Sequence, residues 1–188
     1  MYIQVEETPN PSTLKFIPGE RVMKEGTRSF TDAEEAMVSP LAARLFQIPG
    51  IMQVFFGKDF LSVSKEDDFD WYLLKPDVVG AIVEHFVSKQ PIIIENPSLI
   101  NSLNDVKEAA PLDALSSQIK ELIDTRVRPA VAQDGGDIIF EAFVDGVVFL
   151  RMQGACSGCP SSTATLKSGI ENMLRYYVPE VKEVRSVA

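Results

Sequence analysis

The stretch Glu95-Asn-Pro-Ser-Leu-Ile-Asn-Ser-Leu-Asn-Asp-Val-Lys-Glu-Ala-Ala-Pro111 divides the chain almost at its middle. It is polar, bounded by prolines and weakly periodic, which is the composition of a linker. At about 100–200 residues per domain, 188 residues allow one domain or two small ones. The break favours two: residues 1–95 and 113–188, joined by a flexible linker over 96–112. Residues 1–95 carry 9 basic and 15 acidic groups, and residues 96–188 carry 9 and 12. Both halves are acidic, so the break does not separate a basic binding module from an acidic one. A net charge of −9 with no basic block makes a poor binder of nucleic acid or anionic membrane. No apolar run approaches the roughly 18 residues that a membrane span requires. The start carries Glu6 and Glu7 and no basic residue before Pro11, so it lacks the n-region of a signal peptide.

Each half reads as small α/β layers, an α+β chain overall. In the first, residues 2–6 alternate as a strand, and Thr8-Pro-Asn-Pro-Ser12 turns the chain into a second at 14–17. Ser39-Pro40 is an N-cap followed by proline at the first helical position. Residues 52–56 and 60–64 flank Gly57-Lys-Asp59 as a hairpin. A helical stretch runs from Asp70 to Lys89, and Pro76 is expected to divide it in two. In the second half, Ile119, Leu122, Ile123, Val127 and Ala130 recur at helical spacing, and Pro129 should kink that helix near its end. Asp134-Gly-Gly-Asp137 reads as a helix-exit turn, and Asp145-Gly146 as a hairpin turn between strands at 138–144 and 147–152. A helix from about Ser161 to Tyr177 and a last strand at 181–187 complete the order helix, two strands, helix, strand.

The two cysteines, Cys156 and Cys159, form one CxxC at the strand-to-helix junction Gly154-Ala-Cys-Ser-Gly-Cys-Pro160. As a disulfide the pair would close a four-residue loop, worth under about 2 kcal/mol, so stability is a weak reason for it. Chemistry in a reducing compartment is a better one. Two thiolates at this spacing can ligate adjacent irons of a cluster or one zinc. Small neighbours let a bulky group approach the backbone, and the following helix N-terminus favours thiolate and anion. Ser161 and Ser162 are candidate caps for it. Such a centre needs four ligands, however, and the only histidine, His85, lies in the other half, where it reads as structural. Two chains each giving one CxxC would make up the deficit. Spacing does not choose between zinc and iron–sulfur. A thiol–disulfide oxidoreductase is the serious alternative, although only 29 residues follow Cys159, too few to finish a thioredoxin-like fold.

Taken together, the motifs resemble the NifU-like (Nfu) iron–sulfur scaffold and carrier proteins in their two-domain form. The likeness rests on Thr8-Pro-Asn-Pro-Ser-Thr-Leu-Lys-Phe-Ile-Pro18, Ser39-Pro-Leu-Ala42, Val54-Phe-Phe-Gly57 and Leu74-Lys-Pro-Asp77 in the first half. In the second it rests on Arg126-Val-Arg-Pro129, Asp134-Gly-Gly-Asp137, the cysteine loop through Ser162, and residues 166–174. The resemblance implies a non-enzymatic carrier whose Cys156 and Cys159 bind a [4Fe–4S] cluster shared with a second chain. It further implies hand-over to apo iron–sulfur clients, receipt from upstream assembly proteins, and partner recognition by the amino-terminal domain. The absence of a leader at Met1 suggests a bacterial cytoplasm, or a mitochondrial matrix for a trimmed eukaryotic chain. A CxxC oxidoreductase remains the runner-up and a zinc-bridged dimer comes third. Arg126 and Arg128 are expected to pair with nearby carboxylates, and Phe55, Phe56 and Phe60 to be core.

Overall fold

Alternation of side chains builds the first domain. The computed structural model describes residues 2–94, 113–157 and 160–187, and of residues 160–162 the backbone alone. Strands β1 (Gln4–Glu7), β2 (Thr13–Ile17), β3 (Arg28–Phe30), β4 (Ile51–Phe56) and β5 (Leu61–Lys65) form one antiparallel sheet in the order β1-β2-β5-β4-β3. The expected hairpin is β4–β5, with Val54 opposite Val63 and Phe56 opposite Leu61. On one face Leu14, Phe16, Val54, Phe56, Leu61 and Val63 pack with α1 (Ala33–Ala36), α2 (Pro40–Phe46) and α3 (Trp71–Ser88). Residues between them in sequence, Thr13, Lys15, Phe55, Ser62 and Ser64, must point the other way because the side-chain period of a strand is two. They are buried as well.

The helices start where their caps allow. Ser39 Oγ accepts the Ala42 N–H at 3.2 Å with Pro40 in the first turn, and Asp70 accepts the Tyr72 N–H at 2.8 Å. Helix α3 is continuous through Pro76, against the expected division. Proline there removes one hydrogen bond, to the Tyr72 carbonyl one turn back, and Tyr72 is 84% exposed, so water can take that carbonyl. Leu41, Leu45, Val78 and Ile82 are fully buried where α2 and α3 meet the sheet. Each such side chain stabilises the fold by about 1.5–3 kcal/mol.

The second domain follows the expected order. Helix α4 (Ala114–Leu122), a π-helical turn (Ile123–Val127) and α5 (Arg128–Gln133) lead into β6 (Gly136–Val144). Strand β7 (Val147–Gly154), α6 (Pro160–Tyr177) and β8 (Glu183–Val187) complete it. The sheet order is β6-β7-β8, with β7 antiparallel to β6 and parallel to β8. Asp145 and Gly146 both take positive φ, 54° and 87°, as the tight turn between β6 and β7 requires. Pro129 has no N–H to offer the preceding turn, and the helix widens just before it: the Arg128 N–H reaches back five residues to the Ile123 carbonyl. The helix-exit turn is Asp134-Gly135, with Gly135 at φ 80°. Gly136 and Asp137 already belong to β6, which shortens the turn read from the sequence. The proposed linker residues lie outside the described residues.

His85 is buried at 2% exposure on α3, and its Nε2 has no partner among the described residues. Burial and then the nearby Arg44 charge hold its pKa below the ordinary 6.5. Below pH 6.5 the unfolded chain takes up a proton that the folded chain resists. The stability that His85 allows is therefore full above that pH and is lost as the pH falls. Between pH 7.5 and about 5.5 the wild-type melting temperature should fall further than that of His85→Gln. Equal losses in thermal scans of the two full-length chains would remove His85 as a source.

Candidate metal centre

The cysteine loop is made by glycines that let three segments touch. Strand β7 ends at Gly154 with φ 62°, a conformation that side-chain-bearing residues rarely adopt. A Cβ on Gly154 would lie 2.6 Å from the Gly135 carbonyl and 2.9 Å from the Phe55 ring. The Ala155 N–H donates to that same carbonyl at 3.1 Å, and the Ser157 N–H closes the turn onto the Gly154 carbonyl at 3.0 Å. Cys156, between them, is 6% exposed and packs within the core of the second domain. Its sulfur sits over Gly136, where a Cβ would stand 2.4 Å from Sγ and 2.9 Å from the Cys156 backbone nitrogen.

Burial pushes the Cys156 thiol up to about 12, and the negative charges of Asp134 and Asp137 push it the same way. A metal ligand must be a thiolate, so coordination has to displace a proton that this setting retains. Cys159 and Gly158 lie outside the described residues, as do the side chains of Ser161 and Ser162. Helix α6 begins at Pro160, the residue after Cys159 in sequence. Among the described residues no three His, Cys, Asp or Glu side chains gather into a metal site, and His85 is in the core of the other domain.

What the sequence reading missed is the carboxylate beneath the loop. Asp137, 3% exposed, accepts from Arg128 Nε at 2.8 Å and Nη2 at 2.7 Å, a forked pair. Its own strand contributes the Ile138 N–H at 2.8 Å. Arg128 also reaches Asp124 at 3.3 Å. The expected pairing thus holds for Arg128, while Arg126 lies over the Tyr177 ring, 4.8 Å from its centroid. The π turn explains the difference, because it rotates Arg128 towards β6.

The first domain also reaches the loop. Asn10 Nδ2 donates to the Ser157 carbonyl at 3.0 Å, and Ser157 Oγ donates to Gln53 Oε1 at 3.0 Å. Ser62 Oγ donates to the Gly135 carbonyl at 2.6 Å, Lys15 Nζ to the Gln133 carbonyl at 2.9 Å, and Thr27 Oγ1 to Asp137 at 2.7 Å. Phe56 is in the first domain's core as expected. Phe55 and Phe60, 6.0 Å apart between centroids, are buried on the opposite, interdomain side.

Because Gly136 has no room for a side chain, Gly136→Ala must move Cys156. Overpacking of this kind costs about 1–3 kcal/mol. The urea midpoint of the full-length chain should fall accordingly. An unchanged midpoint would show that the loop is not seated against Gly136.

Comparison with known proteins agrees with both halves. Residues 3–89 match the family described as scaffold protein Nfu/NifU N terminal, and residues 119–185 match the NifU-like domain. The human protein named "NFU1 iron-sulfur cluster scaffold homolog, mitochondrial" is 47% identical over 188 residues, covering 100% of this chain and 72% of that protein. "NifU-like protein 4, mitochondrial" of Arabidopsis thaliana is 48% identical over 186 residues, covering 98% of this chain and 65% of that protein. The Drosophila ananassae protein, named as the human one is, is 47% identical over 188 residues; this chain spans 64% of its length. With both domains matched in the same order as in the sequence, the chain belongs to the Nfu/NifU family of scaffold proteins.

Proposed function

We propose that this chain is an iron–sulfur cluster scaffold and carrier, binding a [4Fe–4S] cluster between the CxxC loops of two copies and passing it to apo-proteins. The observation that carries this reading is the ligand count. Cys156 and Cys159 are the only thiols, and a cubane takes four ligands. Two chains meeting at their loops supply four thiolates. A loop of Gly, Ala and Ser offers little apolar area, so most of the dimer's binding energy resides in the iron–sulfur bonds. The same arrangement suits release, since a client with better-placed thiolates takes the cluster by ligand exchange. Nothing in this chemistry turns over a substrate, and the protein acts as a carrier and not as an enzyme.

Residues 113–188 hold the cluster, 96–112 link the domains, and residues 1–95 recognise clients and donors. The relatives' names place those proteins in mitochondria, which supports the mitochondrial compartment over the cytoplasmic one. The oxidoreductase reading is weaker because burial holds the Cys156 sulfur as a thiol, whereas exchange needs an attacking thiolate.

Anaerobic reconstitution of the full chain with iron and sulfide tests the proposal. It should give a brown dimer with about two irons per chain, and chelation should return it towards monomer. Cys156→Ser and Cys159→Ser should each abolish stable cluster binding while leaving the circular-dichroism spectrum unchanged. Full occupancy in either variant would remove that residue as a ligand. A colourless wild type that reduces disulfides would favour the oxidoreductase.

A further inference from the structure

The outer face of the first domain's sheet is polar by sequence and buried by structure. Thr13, Ser62 and Ser64, at 1%, 1% and 6% exposure, alternate with the core residues of β2 and β5, the pattern of a face meant for water. What covers that side is the second domain, at the loop that carries Cys156. Asn10 and Gln53 hold the two ends of Ser157, its carbonyl and its hydroxyl. Ser62 holds the Gly135 carbonyl, which also receives the Ala155 N–H, so one grip secures both sides of the cysteine. Phe55 fills the space that a side chain on Gly154 would take. These contacts bracket Cys156 from residue 154 to residue 157, while its sulfur is held over Gly136 in the core of the second domain at 6% exposure.

We propose that the amino-terminal domain is an intramolecular cap on the cysteine loop, and that cluster uptake requires the two domains to part there. The inference rests on the reading of Cys156 as a cluster ligand. A loop gripped at residues 154 and 157 cannot also lie against a second chain's loop. Capping in cis and dimerisation through the cluster therefore compete for one surface. The grip on the loop itself consists of neutral hydrogen bonds and the Phe55 contact. Beside it, among the described residues, the domains share two charge-assisted bonds, Lys15 to the Gln133 carbonyl and Thr27 to Asp137, with Phe60 next to Phe55. This mostly polar make-up is that of a contact that opens. Its strength comes from tethering: the cap is always present at high effective concentration, so the apo chain closes on a weak intrinsic affinity. Cluster ligation stabilises only the open form and shifts the population towards it. On loading, each ligating thiol gives up its proton to solvent as its sulfur bonds to iron. Built from sulfide and equal parts of ferrous and ferric iron, the cluster reaches its [4Fe–4S] level with no electron gained or lost.

The test uses the full-length chain. With Cys159→Ser as background, Cys156 is the single thiol, and its rate of reaction with a small disulfide reagent reports opening without any cluster. Asn10→Ala/Gln53→Ala/Ser62→Ala should raise that rate at least tenfold and increase the radius of gyration by small-angle scattering. Phe55→Ser is an independent second variant with the same expected direction. Far-ultraviolet circular dichroism checks that each is folded. With both cysteines restored, the triple variant should load cluster faster from iron and sulfide and reach the same final iron content. Equal thiol reactivity in wild type and both variants would overturn the cap. So would raised reactivity with an unchanged loading rate. Failure of the reading of Cys156 as a ligand appears separately, as full cluster retention by Cys156→Ser whatever the thiol rates show.

Discussion

The carboxylate of Asp137 is the point through which the cysteine loop, the preceding helix and the other domain are joined. A carboxylate at 3% exposure costs several kcal/mol unless its lone pairs are taken up. Here four donors take them: Arg128 twice, the Ile138 N–H, and Thr27 from the first domain. The pair fixes the start of β6 to the start of α5, which closes the tight turn at Gly135 and sets Gly136 beneath the Cys156 sulfur. Loss of Arg128 would leave a buried charge without its counter-ion two residues from an acceptor that the loop uses, the Gly135 carbonyl. The geometry of the loop is thus inherited from an ion pair outside it.

Much of this architecture is written locally and was legible in the residues. Ser39-Pro40, Asp145-Gly146 and the strand patterns at β4 and β5 each carry their own capping, turn or period-two signal, and each forms where expected. The misreading at Pro76 came from treating proline as a breaker whatever its place. Near the N-terminal end of α3, beside an exposed Tyr72, the lost bond is one that water replaces. The CxxC could be singled out as the candidate ligand pair because two thiols in one short loop have few other uses, and its role as a ligand belongs to the proposal. Asp137 did not, since an aspartate after two glycines reads as a turn residue; only the register of β6 shows it buried. Nor could the interdomain face be read. Thr13, Lys15, Ser62 and Ser64 alternate like any solvated strand face, and period two says which side a residue points to but not what lies on that side.

Seating Cys156 inside a hydrophobic core has a chemical consequence. Ordinary scaffold logic would expose a metal ligand and lower its pKa, yet burial and two neighbouring carboxylates keep this thiol protonated. A protonated, enclosed thiol is a poor nucleophile and a poor target for oxidation. On the proposed reading of Cys156 as a cluster ligand, the same enclosure means that ligation cannot occur in place. The sulfur has to leave a site lined by Gly136 and the domain core, and the backbone from Gly154 to Ser157 has to move with it.

That movement is what the polar composition of the interdomain surface makes affordable. Were the outer face of β2, β4 and β5 as apolar as the inner one, parting the domains would expose hydrophobic area at about 25 cal/mol per Å² and the loop would stay shut. With threonine, serine, lysine and glutamine there, opening exchanges protein hydrogen bonds for bonds to water, a difference of about 0.5–1.5 kcal/mol for each neutral bond and about 1.5–3 kcal/mol for the two that involve Lys15 and Asp137. Phe55 and Phe60 are the exceptions, and two aromatic side chains are enough to define the closed position without making it permanent. A carrier of the proposed kind, shielding its ligands when empty and presenting them when loaded, needs a surface of this mixed kind. The alternation that looks like a solvated strand face is therefore consistent with a face that spends part of its working cycle in water.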